Sequence, residues 1–267
     1  MKKRFSIIIP AYNADKVVLK AVESIKNQKY TSYEIIVVDD CSTDKTFEVS
    51  NNIEGVQVLK TPYNMKDGGA RNVGIDNAKG EYIIFLDADD YLVDENVLEK
   101  LNNIIGDNNQ DLIYLGFESI GIRQIKALPT EENSVLADRL SKWKYANVWD
   151  VCWKREFLKE NNIRFIEGKM FQDFLFYYEG ILRAKSYGIA SFVTHIYVTE
   201  ENKSITTSKM SMQKISDLLE NLSKCALLMK YVKEEDKLYF VNALQIQTKI
   251  VEKLLNQYEE ENIKGVI

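Results

Sequence analysis

The chain has 267 residues, of which 45% are hydrophobic and 28% charged, a balance typical of globular proteins. This length allows one large domain, or one domain with an appendage. The net charge is -5, from 35 basic and 40 acidic residues. The chain therefore has no overall electrostatic attraction to nucleic acid or to an anionic membrane, although a local basic patch stays open. We expect no nucleic-acid partner.

Cysteine and histidine usage argues against the common zinc sites. The single histidine, His195, has no second histidine to pair with, and we expect it to be structural. An odd number of cysteines without CxxC spacing also argues against a disulfide framework; they are Cys41, Cys152 and Cys225. The apolar run Phe5–Ile9 is shorter than a signal-peptide core of about 7–15 residues. No stretch reaches the ~20 apolar residues of a transmembrane helix. We expect a cytoplasmic protein, or one peripheral at the inner membrane face.

The first 117 residues alternate strand and helix patterns. Apolar runs without polar alternation predict five strands, at Phe5–Ile9, Glu34–Val38, Val56–Leu59, Glu81–Leu86 and Leu112–Phe117. Apolar residues at helical spacing lie between them. We expect Ser42 or Thr43 to cap the helix after the second strand, and Asp94 to cap the helix before the fifth. Buried strands linked by amphipathic helices predict an α/β fold, a mostly parallel sheet covered on both faces.

The rest of the chain consists of two segments that differ in composition from the first 117 residues. Aromatic residues crowd between Trp143 and Tyr178, which indicates that residues 118–207 are the second half of the same domain and cover the sheet. We predict one domain at 1–207, with halves at 1–117 and 118–207, and a helical C-terminal extension at 208–267. Acidic and basic residues mix in that extension, a composition that an anionic surface would not attract. We expect its helices to pack on the core or to form a homodimer.

Acidic residues follow two of the predicted strands, at the edge where α/β sheets bind their ligands. Asp87 and Asp89 are two residues apart, so their side chains point to one side. Two converging carboxylates suit a hard divalent cation that keeps room for phosphate oxygens and water; the alternative is a capping cluster before the helix at Asp94. Asp39 and Asp40 are evenly open between turn chemistry and accepting a nucleobase N–H.

Two further segments carry candidate chemistry. Asp67–Asn72 begins a helix with two glycines and Arg71. Helix N-termini attract anions and arginine chelates phosphate, while a flexible loop with a solvated arginine is the alternative. Neither the P-loop nor the dinucleotide fingerprint is present. Asp173, preceded by Gln172, lies on an aromatic-rich segment that would desolvate it for base catalysis, but the residue types alone favour a helix N-cap.

Four motifs in this order resemble the family-2 inverting glycosyltransferases with the GT-A fold. They are Phe5–Asn13, Val37–Asp44, Gly69–Gly74 and Gly80–Asp90. The resemblance is strong over about residues 1–118 and weaker to about 207. It implies a Rossmann-like, mostly parallel central sheet flanked by helices. It also implies transfer of a hexose or N-acetylhexosamine from a nucleotide sugar to a glycan, lipid-linked or protein acceptor, in bacterial-type surface glycan synthesis.

The resemblance implies a donor-nucleotide site. Its residues would be Pro10, Ala11, Tyr12, Asp40, Arg71, Asp87 and Ala88. Pro10 to Tyr12 would line the nucleobase pocket, and Asp40 would accept a hydrogen bond from a base N–H. Arg71 would neighbour the diphosphate. We expect UDP, because uracil offers such an N–H, although thymine offers the same group.

The resemblance also implies a metal site and a base. Asp87-Ala88-Asp89 is similar to the family's DxD motif. Asp89 would be the more direct ligand of Mn²⁺ or Mg²⁺, and Asp87 would hold the ribose or the water shell of the metal. Asp173 would be the catalytic base that takes the proton from the acceptor hydroxyl.

Two departures from the family pattern keep an alternative open. Gln172 stands where the family usually has glutamate. Glu200 and Glu201 precede Ser204-Ile205-Thr206 where members often carry basic residues, which leaves Lys203 as the cation of that loop. A nucleotide-sugar-binding protein with weakened or lost transfer is therefore the alternative. A nucleotidyltransferase would need a basic, glycine-rich loop near the N-terminus, and residues 10–16 supply only Lys16.

Overall fold

The structure is a computed structural model that describes residues 3–122, 124–131, 139, 147–199 and 211–262. Its strands are β1 (Phe5–Ala11), β2 (Tyr33–Asp39), β3 (Val56–Lys60), β4 (Tyr82–Phe85), β5 (Tyr91–Leu92), β6 (Leu112–Gly121), β7 (Lys126–Ala127), β8 (Val151–Lys154) and β9 (Tyr187–Thr199). They form one sheet in the order β3-β2-β1-β4-β8-β6-β9-β5, with β7 beside β6. All five predicted strands are present.

The helices lie against this sheet and beyond it. They are α1 (Val18–Lys26), α2 (Thr46–Asn51), α3 (Lys66–Asn77), α4 (Val97–Ile105), α5 (Arg155–Glu160), α6 (Asp173–Arg183), α7 (Met212–Ala226) and α8 (Lys237–Asn262). Short 3₁₀ helices occupy Val148–Asp150, Leu227–Tyr231 and Glu234–Asp236. The predicted α/β class is confirmed.

The sheet is buried on both faces, as its unbroken apolar strands predicted. Along β1, Ile7 and Ile9 belong to a core cluster that includes residues of α1 and α4. Ile8 points the other way, into a cluster that includes residues of α3 and α6. β1 is paired in parallel with β2 and with β4, and β2 with β3. The carboxyl ends of these strands therefore meet at one edge.

The predicted helix caps need correction. Neither Ser42 nor Thr43 caps α2. Lys45 occupies the N-cap position and makes no side-chain cap, while Oδ1 of Asp44, one residue earlier, accepts from the backbone N–H of Thr46 at 2.9 Å. The hydroxyl of Ser42 accepts from the backbone N–H of Asn13 at 3.0 Å and so joins two loops at the sheet edge. Asp94 accepts from the N–H of Asn96 at 2.7 Å, which stabilises the turn leading into α4 rather than its first helical turn.

Residues 118–207 do more than cover the sheet, because β8 and β9 are part of it. β8 runs antiparallel between β4 and β6. The side chain of His195 on β9 packs against Trp149, with ring centroids 4.9 Å apart. Burial lowers the pKa of His195 to about 3, so its ring is neutral at physiological pH. This is the environment of a structural histidine.

The C-terminal helices pack on the core. Cys225 of α7 and Phe240 of α8 belong to the same buried cluster as Tyr178 of α6. The rings of Tyr178 and Phe240 lie 6.0 Å apart in an edge-to-face arrangement. The extension is therefore continuous with the sheet domain through α6.

Within the part of the chain that the structure describes, no helix has the length and apolar character needed to cross a bilayer.

The close approach of α6 to β8 gives a test of the packing. A Cβ atom at Gly180 would lie 2.3 Å from Cζ3 of Trp153. Replacing glycine by alanine within a helix usually stabilises it by about 1 kcal/mol, whereas overpacking a core costs about 1–3 kcal/mol. We expect Gly180→Ala to lower the free energy of unfolding, measured by urea denaturation. In a Trp153→Leu background the same change should be harmless or stabilising. Stabilisation of the parent chain by Gly180→Ala would contradict this packing.

Candidate active site

The carboxyl ends of β1, β2 and β4 bring the predicted donor residues to one edge of the sheet. Ala11 at the end of β1 is opposite Asp39 of β2. The backbone N–H of Asp40 then donates to the carbonyl of Ala11 at 2.8 Å, which extends the parallel pairing by one step. Asp87 follows β4 by two residues. The edge therefore collects the acids that end two separate strands.

A buried arginine joins this edge to a distant part of the chain. Nη2 of Arg71 donates to Oδ1 of Asp87 at 2.8 Å, and Nη1 donates to Oδ1 of Asp173 at 2.8 Å. Arg71 is only 2% exposed, so the alternative of a solvated arginine is wrong. Three predicted site residues thus meet in one cluster, although Arg71 and Asp173 are 102 positions apart in the sequence.

The position of Arg71 depends on close packing of α3. A Cβ atom at Gly74 would lie 2.4 Å from Cγ2 of Ile8, so glycine lets α3 lie directly on β1. Asn72 fixes the other side of the helix. Its amide donates to the carbonyl of Phe165 at 3.0 Å and its Oδ1 accepts from the N–H of the same residue at 3.1 Å. This reciprocal pair holds α3 to the segment that leads to Asp173.

Burial and charge compete in this cluster. Burial raises the pKa of Asp173 most, the charge of Arg71 lowers it, and the net result is a pKa of about 6. Burial would lower the pKa of Arg71, but the carboxylates of Asp173, Asp87 and Asp67 raise it above its ordinary value. Arg71 is therefore always charged. Asp173 can exchange a proton near neutral pH, which is the property required of a general base.

The N-cap interpretation of Asp173 is wrong. Gln172 occupies the N-cap position without a side-chain cap hydrogen bond, and Asp173 is the first residue of α6. Gln172 is buried against the first turn of α3, where a Cβ atom at Gly68 would lie 2.8 Å from its Cγ. The side chain of Asp173 instead reaches Arg71. The residue types alone could not reveal this contact, because it joins segments far apart in the sequence.

The acids after β4 have separate surroundings. Asp89 is exposed and Ala88 half-buried, whereas Asp90 is buried. Oδ1 of Asp90 accepts from the N–H of Val198 at 2.8 Å, which ties this loop to β9. Burial and then the neighbouring charges of Asp87 and Asp89 raise the pKa of Asp90 to about 9. Asp87 and Asp90 direct their carboxylates at Arg71 and Val198, so the capping alternative is wrong for both. The role of Asp90 was missed from the sequence.

Turn chemistry and acceptance of a nucleobase N–H were both open for Asp39 and Asp40, and the contacts of the two residues differ. Oδ1 of Asp39 accepts from the N–H of Ser42 at 3.3 Å, which is turn chemistry. Oδ1 of Asp40 accepts from the hydroxyl of Thr61 at 2.8 Å and from the N–H of Met65 at 2.7 Å. Oδ2 of Asp40 is buried and has no hydrogen-bond partner in the described part of the chain. Among these described residues, Oδ2 of Asp40 is therefore a hydrogen-bond acceptor without a donor at the edge of the sheet.

The predicted nucleobase pocket begins beside that acceptor. Pro10 and Ala11 are buried at the end of β1, whereas Tyr12, the next residue, is 48% exposed. An exposed aromatic ring at a ligand-binding edge provides a flat apolar surface. The structure brings these residues and Asp40 to one edge, because the N–H of Asp40 is bonded to Ala11.

The acidic loop has the donor chemistry of a divalent-cation site, since carboxylate oxygens are the ligands that Mg²⁺ and Mn²⁺ prefer. Within the described residues, no group of three or more histidine, cysteine, aspartate or glutamate side chains is arranged to hold a metal ion. A cation at Asp87 and Asp89 would therefore complete its shell with oxygens of a ligand and water. The loop with Glu200, Glu201 and Lys203, which departs from the family pattern, lies outside the described residues.

Comparison with known proteins connects the chain to one family. The model of the family described as Glycosyl transferase family 2 matches residues 6–161. The poly(ribitol-phosphate) β-N-acetylglucosaminyltransferase TarP of Staphylococcus aureus is 32% identical over 213 residues, which cover 76% of this chain and 64% of TarP. The UDP-Glc:α-D-GlcNAc-diphosphoundecaprenol β-1,3-glucosyltransferase WfaP of Escherichia coli is 41% identical over 99 residues, which cover 36% of this chain and 39% of WfaP.

A third relative has a solved structure. The poly(ribitol-phosphate) β-N-acetylglucosaminyltransferase TarS of S. aureus is 28% identical over 205 residues, which cover 74% of this chain and 36% of TarS. The crystal structure of TarS 1-349 in complex with UDP-GlcNAc matches with a TM-score of 0.73 at 22% identity, over 96% of this chain and 73% of that one. This likeness confirms the GT-A fold. The chain spans between 36% and 64% of the length of the three relatives.

The contact between Arg71 and Asp173 gives a measurable prediction. The charge of Arg71 lowers the pKa of Asp173, which is about 6 in its presence. We expect Arg71→Gln to raise that pKa, and Arg71→Lys, which keeps the charge, to raise it less. The measurement is a ¹³C NMR titration of the carboxyl group, assigned by comparison with Asp173→Asn. An unchanged or lower pKa in Arg71→Gln would contradict the contact.

Proposed function

The chain belongs to glycosyl transferase family 2, and we propose that it transfers a sugar from a nucleotide-sugar donor to an acceptor hydroxyl, with inversion at the anomeric carbon. The observation that carries this proposal is the bridge made by Arg71, which joins Asp87 at the donor edge to Asp173 on α6. A single buried side chain thereby fixes the distance between the two acids that the reaction needs. The proposed roles differ for the two acids.

Asp173 is the proposed general base. It takes the proton from the acceptor hydroxyl as the acceptor oxygen bonds to the anomeric carbon. The bond from that carbon to the diphosphate oxygen breaks, and the nucleoside diphosphate leaves with the electron pair. A base with a pKa of about 6 is ionised at physiological pH and basic enough to help, since a catalytic pKa near the working pH is most effective.

The donor side of the proposal rests on Asp40 and on the acidic loop. Oδ2 of Asp40, buried without a partner in the described residues, accepts the base N–H in this proposal. Asp89 and Asp87 would hold a divalent cation. When bound, Mn²⁺ or Mg²⁺ neutralises the charge that develops on the diphosphate as it leaves. The diphosphate lies near Arg71, whose charge acts in the same direction.

The substrates are proposed from the names of the relatives. WfaP is named for UDP-glucose, and the TarS structure contains UDP-GlcNAc. We therefore propose a UDP-linked hexose or N-acetylhexosamine as the donor. The same names include a poly(ribitol-phosphate) polymer and a diphosphoundecaprenol lipid, so the proposed acceptor is a surface glycan or its lipid-linked precursor. We predict that the reaction takes place at the cytoplasmic side of the membrane.

The alternative of a donor-binding protein without transfer was based partly on Gln172. Gln172 is buried against α3, and the next residue, Asp173, keeps its ion pair with Arg71. The replacement of glutamate by glutamine therefore leaves the base and its ion pair in place. Transfer to a supplied acceptor separates the two functions, because a binding protein would yield no glycosylated product.

We expect Asp173→Asn to lower kcat by roughly 10²–10⁴-fold, the usual contribution of a general base, while the affinity for UDP-GlcNAc changes little. The parent enzyme should lose activity as the pH falls below about 6, because Asp173 becomes protonated. Transfer is measured with UDP-GlcNAc or UDP-Glc and a polyribitol-phosphate or lipid-diphosphate acceptor. Near-full transfer by Asp173→Asn, with donor still bound, would rule out the base assignment.

The metal assignment has its own test. We expect Mn²⁺ to strengthen the binding of UDP to the parent chain, and Asp89→Ala to reduce this effect by at least about tenfold, since even the groups that support metal ligands contribute 10–100-fold. Isothermal titration with UDP, with and without Mn²⁺, measures it. Binding of uridine, which lacks phosphates, is the control and should be equal in both proteins. Undiminished metal dependence in Asp89→Ala would contradict the assignment.

A further inference from the structure

The loop that leads into Asp173 has a backbone conformation that needs support from its surroundings. Gly168 and Phe171 both have positive φ angles, 70° and 59°. The left-handed region is easy for glycine but unfavourable for phenylalanine. Such a conformation persists where neighbouring structure holds it. One support is the N–H of Gly168, which donates to the carbonyl of Met65 at 2.8 Å.

The second support comes from the C-terminal extension. The N–H of Met170 donates to Oδ2 of Asp217 at 3.1 Å, and its carbonyl accepts from Nδ2 of Asn221 at 3.1 Å. Asp217 and Asn221 are one turn apart on α7 and are 1% and 0% exposed. Two side chains of α7 therefore satisfy both backbone hydrogen-bonding groups of Met170, three residues before Asp173.

Asp217 is itself held in place. Its Oδ1 accepts from Nε2 of Gln213 at 2.7 Å and lies 3.1 Å from Nζ of Lys169. Lys169 also pairs with Glu220 at 2.9 Å. The buried carboxylate thus has a compensating charge and hydrogen bonds on both oxygens, as a buried acid requires. Each of these partners lies on α7 or in the loop.

We propose that Asp217 and Asn221 are positioning residues for Asp173, so that the C-terminal extension is part of the catalytic machinery. The proposal rests on the proposed function, since it takes Asp173 as the base. Asp173 is held from one side by Arg71 and from the other by the loop that α7 fixes through Met170. Apolar residues at positions 217 and 221 would leave the backbone groups of Met170 without these two partners.

The test separates positioning from stability. We expect Asp217→Ala and Asn221→Ala to lower kcat roughly tenfold to 100-fold, the range expected for small misplacement of a catalytic group. The KM for the donor and the affinity for UDP should stay within about twofold, because the donor residues are untouched. Asp217→Asn keeps an oxygen acceptor for the N–H of Met170 and should recover most of the rate. The matched control is Ile215→Val, which removes a methyl group from the same buried face of α7.

Hydrogen exchange gives a readout that does not depend on activity. We expect faster exchange at the amide of Met170 in Asp217→Ala, and no change there in Ile215→Val. Unchanged exchange, or unchanged kcat in the two alanine variants while Asp173→Asn is inactive, would overturn the positioning role. A fully active Asp173→Asn would instead overturn the base assignment of the proposed function. Equal losses of kcat in Ile215→Val and Asp217→Ala would show that α7 acts through stability alone.

Discussion

The charge of Arg71, held almost without exposure beneath the edge of the sheet, is the constraint on which the site depends. Its two terminal nitrogens bind carboxylates from segments far apart in the sequence, Asp87 after β4 and Asp173 at the start of α6. Burying an arginine is unfavourable unless its donors are paired. Gly74 of α3, packed against Ile8 of β1, lets the helix lie close enough to the sheet for this depth. The acidic loop after β4 and the start of α6 are thus coupled by packing.

The acids around Arg71 differ in their pKa values and in their contacts. Asp173 is balanced between burial and the guanidinium, which gives a pKa of about 6. Burial and then the charges of Asp87 and Asp89 raise the pKa of Asp90 to about 9, and its Oδ1 accepts from the N–H of Val198. Asp90 therefore serves as an anchor for β9. The members of this cluster of aspartates have separate roles.

The apolar periodicity of the sequence predicted much of the fold. It predicted little of the site, because the contacts of the site join residues that are far apart in the sequence. The five strands and the extension helices were found because each buries a continuous face, a local property. β8 was missed because its short run, Val151–Lys154, looks like any other piece of the aromatic-rich region. The predicted cap of α2 at Ser42 or Thr43 was wrong because both side chains bond to the loop after β1. The N-cap reading of Asp173 failed because its partner, Arg71, lies far away in sequence, and only the family resemblance indicated its role.

The position of β8 has a consequence for how the chain can be divided. β4 and β6 both lie within the first 121 residues, yet they do not pair with each other, because β8 lies between them. A fragment that ends before β8 would leave the inner edges of both strands without partners, and unpaired edges of buried strands promote aggregation. The predicted half at residues 1–117 is therefore a half in sequence only. During synthesis, β4 and β6 cannot be joined until β8, which ends at Lys154, has also been made.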